Sequence, residues 1–193
     1  MKPLIYIVLH SVLVLTLPLH AATIDVRVTA RGGAAIDDAV VYAIPQHRVP
    51  LARRVAVMDQ VNRTFVPHVL PVQVGSWVEF PNSDQVRHQV FSVSPARPFS
   101  TPLYIGKPAR PIQFPTAGVV GIGCSIHEQM NAYIVVVDTP YFATTAKGRA
   151  ALKDLTDGRY DVRVWYPGMR DEPKPQTVTV AATDQVSVSF VSD

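Results

Sequence analysis

The sequence predicts an all-β protein whose short antiparallel strands pack as sandwiches. Alternating or β-branched runs recur along the chain: "TIDVRVTA", "DAVVYAI", "RRVAVMD", "HVLPVQV", "SWVEF", "QVFSV", "GVVGIG", "AYIVVVD", "YDVRVWYP", "QTVTVAA" and "QVSVSF". Each is bounded by Gly, Pro, Asn or Asp, which is strand patterning with turn punctuation. Seventeen prolines work against long helices. Only "AKGRAALKDL" carries enough helical spacing for a turn or two.

The first element lies outside the fold. Lys2 begins a positive segment, "LIYIVLHSVLVLTL" is mostly apolar, and "PLHAA" ends in small residues. This is the pattern of a secretory signal peptide over residues 1–22, cut after Ala21 or Ala22, which implies a periplasmic protein with no membrane span of its own once mature. Loss of Lys2 takes the formal charge from +3 to about +2. That balance is mild and the cations are scattered, from Arg27 and Arg31 to Lys107 and Arg110, so nucleic acid is not an expected partner.

Two kinds of β unit follow. Residues 52–138 hold about seven strand candidates, enough for a closed sandwich. The flanks, 23–51 and 139–193, read as hairpins. "GGAAIDDAVVYA" and "TTAKGRAALKDLTDGRYDVRVW" resemble the two halves of a carboxypeptidase regulatory-like (transthyretin-like) β-sandwich. The resemblance implies a second small sandwich formed by the flanks, with the central unit inserted into it. Such insertion is physically cheap where chain ends lie close together.

The chemistry concentrates in "GCSIHEQM", residues 123–130, between two apolar strand candidates. Cys124 is the only cysteine, so it forms no internal bridge, and a free thiol in an oxidising compartment needs burial or a bound partner. With His127 and Met130 it offers thiolate, imidazole and thioether, a soft-to-borderline donor set that suits copper in both oxidation states. A trigonal copper site needs a further histidine. His10 and His20 leave with the signal and His47 sits in a proline-bounded loop, which leaves His68 and His88.

"NRTFVPHVLPVQVGSWVEFPNSDQVRHQVFS" followed by "GVVGIGCSIHEQMNAYIVVV" resembles the cupredoxins, the small blue copper proteins with a Greek-key β-sandwich. "MDQ", "FPNSD" and "LYIGKP" are also similar to periplasmic plastocyanin-like proteins often labelled methylamine utilization proteins. The cupredoxin resemblance implies one copper ion, cycling between Cu(I) and Cu(II). His88 and His127 would be its equatorial imidazoles, Cys124 its equatorial thiolate and Met130 its weak axial ligand. It further implies one-electron transfer with a redox partner protein. A copper-handling role is the alternative, as chaperone, sensor or accessory factor beside a copper-trafficking partner, and a structural module is the third reading. Four ligands leave no open coordination position, so an enzyme is not expected.

The chain departs from the family pattern at three places. Gln89 follows His88 where a small polar residue often braces the cysteine loop. Ile126, Glu128 and Gln129 surround His127, and the Glu128 carboxylate predicts a wetter rim suited to a basic partner. Met58, Asp59 and His68 lie in a region able to approach the site, although core, turn and surface roles are the ordinary expectation for them.

Overall fold

The computed structural model describes residues 22–107, 110–181 and 184–192, so nearly all of the expected leader lies outside the described residues. The first strands are β1 (Ala22–Ala30), β2 (Val40–Pro45), β3 (Val55–Val57), β4 (Asp59–Val61), β5 (Thr64–Val66) and β6 (Val69–Gln73). Next come β7 (Ser76–Glu79), β8 (Phe91–Ser92), β9 (Phe99–Ser100), β10 (Ile112–Phe114), β11 (Gly118–Cys124) and β12 (His127–Val137). The last five are β13 (Phe142–Thr144), β14 (Arg149–Leu155), β15 (Gly158–Trp165), β16 (Gln176–Val180) and β17 (Gln185–Ser192). No helix occurs among the described residues.

The expected all-β sandwich architecture is what the chain adopts. The outer strands make two sheets, ordered β14-β1-β17 and β13-β2-β15-β16. Period-2 alternation explains their stacking: Ile24, Val26 and Val28 of β1 point inward, and so do Tyr160, Val162 and Val164 of β15. Leu152, Leu155, Val188 and Phe190 complete that core. Segments 22–45 and 142–192 therefore share one hydrophobic interior, although β1 and β17 stand at opposite ends of the chain.

The central strands make a second pair of sheets, β10-β7-β3 and β6-β12-β11-β8-β9, with the two-stranded β4-β5 hairpin beside them. Phe65, Val72, Val78, Phe80, Phe114, Val120 and Ile134 fill the space between. Among the described residues ten strands, most of them short, stand where about seven were expected from sequence. Met58 separates β3 from β4, the Asn62–Arg63 turn separates β4 from β5, and the two- and three-residue β9 and β10 are too brief to show a period.

β12 joins the two units. It pairs antiparallel with β11 and parallel with β6. Its C-terminal run "IVVV" is buried on both faces, which is why it reads as continuous apolar sequence rather than alternation. Ile134 and Val136 face the central core, while Val135 and Val137 meet Val40 and Val69 in a separate cluster flanked by Tyr42, Phe142 and Trp165.

One element is corrected. "AKGRAALKDL" forms no helical turn: Lys147 (φ 53°) and Gly148 (φ 66°) make a tight left-handed turn closed by the Ala146–Arg149 bridge, and β14 then pairs antiparallel with β1. Pairing with β1 and burial of Leu152 and Leu155 outweigh the helix propensity of Ala, Lys and Leu.

Candidate metal centre

Cys124 ends β11 and His127 begins β12, so the expected ligand loop is a two-residue Ser125–Ile126 turn whose closing pair is Cys124–His127. The register then jumps, because Gly123 pairs with Asn131 while Cys124 pairs with His127. Residues 128–130 bulge out of the ladder, leaving Glu128 and Gln129 exposed and returning Met130 to the interior at 1% exposure. This bulge decides which side chains of the motif face the core, and a strict alternation carries no sign of it.

His88 arrives from a separate segment. Its backbone N–H donates to Tyr104 O at 3.0 Å and its carbonyl accepts from Tyr104 N–H at 2.9 Å. Upstream, the buried Asn82 side chain donates to Val86 O (2.9 Å) and Tyr104 O (2.8 Å) and accepts from the Asp84 N–H (3.0 Å). Asn82 thus shapes the turn that delivers His88, which is the physical content of the "FPNSDQVRH" stretch.

The structure brings His88, Cys124 and His127 together. The two Nδ1 atoms lie 3.2 Å apart, and Cys124 Sγ is 3.9 Å from His88 Nδ1 and 3.7 Å from His127 Nδ1. A triangle with these edges has a circumradius of about 2.1 Å, within the roughly 2.0–2.3 Å that a first-row metal keeps from imidazole nitrogen and thiolate sulfur. His88 is fully buried, Cys124 is 5% exposed, and His127 is half-buried. Met130 packs in the same core cluster as Cys124. Two imidazoles and a thiolate in a trigonal array, with Met130 buried in the same core cluster as the cysteine, fit one copper ion.

The surrounding hydrogen bonds qualify the sequence expectations. Gln89 does face the site, but through its backbone, with its N–H 3.5 Å from Cys124 Sγ. Its side chain turns away to donate to Ser100 Oγ and Thr101 O, both at 2.9 Å, and so ties the His88 segment to β9 rather than to the cysteine turn. Met58 is a core residue of the same cluster, and Asp59 accepts from Ser83 Oγ at 2.7 Å. His68 is exposed and packs edge-on against Tyr133, outside the donor triangle.

Asp84 is the participant that sequence reasoning passed over. Burial pushes its pKa up, but hydrogen bonds from the Arg63 N–H, His88 and the Asn62 N–H outweigh that and hold the carboxyl below its ordinary value. Tyr104 shows the opposite balance. Burial pushes its phenol up to about 12, the Gln60 amide bond opposes that, and the negative charges of Asp59 and Cys124 add to it. The phenol donates to Phe80 O and accepts from Gln60 Nε2, both at 2.6 Å.

A raised tyrosine pKa stabilises the fold fully below the unfolded value near 10, and that contribution is lost as pH rises through about 12. Stability should therefore fall between those pH values. Tyr104→Phe should flatten part of the decline in urea unfolding measured at stepped pH; an unchanged slope would contradict the assignment.

No protein-family model matches the sequence, and no curated protein matches it. No helix among the described residues is long and apolar enough to cross a membrane. Among solved structures, the chain is similar to a copper-containing nitrite reductase from Thermus scotoductus, with 27% identity over 50% of this chain and 26% of that one and a TM-score of 0.41. It spans about a quarter of that reductase. It is also similar to a reduced, Cu(I) form of a mutant amicyanin (22% identity, 52% of this chain and 100% of that one, TM-score 0.40). A third similar structure is a purple cupredoxin from Nitrosopumilus maritimus (21% identity, 45% and 100%, TM-score 0.38).

Proposed function

We propose that the protein is a mononuclear type 1 copper protein of the cupredoxin kind, passing single electrons between redox partners in the periplasm. The trigonal His88–Cys124–His127 array, with Met130 buried beside it, supports this reading most directly. Copper held there would supply one-electron chemistry between Cu(I) and Cu(II). His88 and Cys124 are shut from solvent, whereas His127 is half-buried and offers the edge that a partner can approach. Beside it stand half-exposed Ile126 and exposed Glu128, and Leu103 and Ile105 are exposed on either side of Tyr104. That mixed rim suits brief docking better than a permanent interface.

In this reading the flanking strands form one discontinuous sandwich, akin to the carboxypeptidase regulatory-like family, that carries the copper unit. A copper-handling role draws on the polar Glu128–Gln129 rim and on a second sandwich that a plain shuttle does not need. The deciding experiment adds Cu(II) to the mature protein and records visible and electron paramagnetic resonance spectra. An intense thiolate-to-copper band, a narrow copper hyperfine splitting and reversible reduction are expected. Colourless Cu(I) binding without reversible oxidation would favour the copper-handling role.

A further inference from the structure

The Asp84 carboxylate makes three hydrogen bonds, and they join two features that the fold alone does not connect. Its Oδ2 lies 2.7 Å from His88 Nε2, and the same oxygen accepts the Arg63 N–H at 2.8 Å. Its Oδ1 accepts the Asn62 N–H at 2.6 Å. Asn62 (φ 53°) and Arg63 (φ 59°) are the central residues of the β4–β5 turn, both left-handed and neither a glycine. Such a turn carries a steric cost in each residue, and here the carboxylate takes up both of its outward N–H groups.

The other edge of the His88 ring faces the donor triangle through Nδ1, 3.2 Å from His127 Nδ1 and 3.9 Å from Cys124 Sγ. A neutral imidazole carries one hydrogen, and a carboxylate can only accept. When Asp84 holds Nε2, the hydrogen is on Nε2 and the Nδ1 lone pair is left pointing at the metal position. With His88 fully buried, no solvent competes for that edge.

We propose that Asp84, gripped by the β4–β5 turn, is a positioning residue that fixes His88 in its Nε2–H tautomer and in one ring orientation before any metal arrives. The inference rests on the reading of His88 as a ligand, but its first measurement needs no metal. Long-range ¹H–¹⁵N correlation spectra of the metal-free protein, with the ring neutral, should show His88 as the Nε2–H tautomer. In Asp84→Ala the ring should become a mixture of tautomers, and Cu(I) affinity, measured by chelator competition, should fall roughly 10- to 100-fold.

Ser83→Ala serves as the control. It removes the neighbouring bond to Asp59 without touching His88, and should leave both readouts at wild-type values. An Nδ1–H tautomer in the wild-type protein would overturn the proposal even if Asp84→Ala failed to fold. So would an unchanged tautomer or affinity in Asp84→Ala, or an equal loss in Ser83→Ala. A wild-type protein that binds no copper but loses its fixed tautomer in Asp84→Ala would sink the copper reading and leave the positioning role standing.

Discussion

Cys124→Ser should abolish the intense visible absorption of the copper-loaded protein and lower copper affinity by more than the roughly 100-fold attached to losing an outer-shell partner. The thiolate is the one soft anionic donor in the triangle, and a bound metal would displace the thiol proton. A serine hydroxyl is harder, is not deprotonated by copper to the same degree and gives no sulfur-to-copper charge transfer. The substitution changes the side-chain volume of this buried residue only slightly, so the metal-free fold should survive. Visible titration, competition for Cu(I) and circular dichroism check the three parts separately. Retained colour with intact affinity would remove Cys124 from the ligand set.

Gly148→Ala should be among the most destabilising single changes, while leaving the copper spectrum of folded protein unchanged. A Cβ at Gly148 would lie 2.6 Å from Val28 O and 3.0 and 3.1 Å from Cβ and Cα of Ala35, at a φ of +66°. Two of those neighbours are backbone atoms, one in β1 and one in the segment between β1 and β2, and cannot rotate away. Relief requires moving β14 from β1, which breaks the 2.8 Å bond from the Val28 N–H to Gly148 O and opens the core beneath. Left-handed strain and overpacking together come to about 3 kcal/mol or more, a drop of roughly 10 °C in Tm for a chain of this size. The metal triangle is built wholly from residues 88–127, so its spectrum should not change. Loss of copper binding at 25 °C in folded Gly148→Ala would show that the two sandwiches do not hold their structures separately.

Much of this was legible in the chain because the signals were local and periodic. "IDVRV" and "YDVRVW" alternate, and the donors Cys124, His127 and Met130 fall within seven residues. What stayed hidden depends on contacts across the fold. The β14 strand competes with its own helix propensity and wins only by pairing with β1. Gln89 stands where a bracing side chain is expected, yet its backbone meets the sulfur while its amide serves β9. Asp84 lies four residues before His88 outside any helix, a spacing with no periodic meaning until the turn folds back. The inward return of Met130 rests on a bulge, which breaks the very alternation used to read strands.

The parallel pairing of β1 with β17 also sets an order of assembly. The side chains of Asp25 and Gln185, 2.7 Å apart, are separated by 160 positions in the chain. During synthesis β1 and β2 emerge first and must wait for partners that begin only at residue 142. The central unit meets no such delay, because its own strand pairs all close within residues 55–137. Folding there first would draw residues 45 and 142 together and shorten the remaining loop, lowering its closure entropy. Until then β1 exposes an apolar face and two unpaired edges, so the nascent chain is most prone to association in the interval before β14 and β17 arrive.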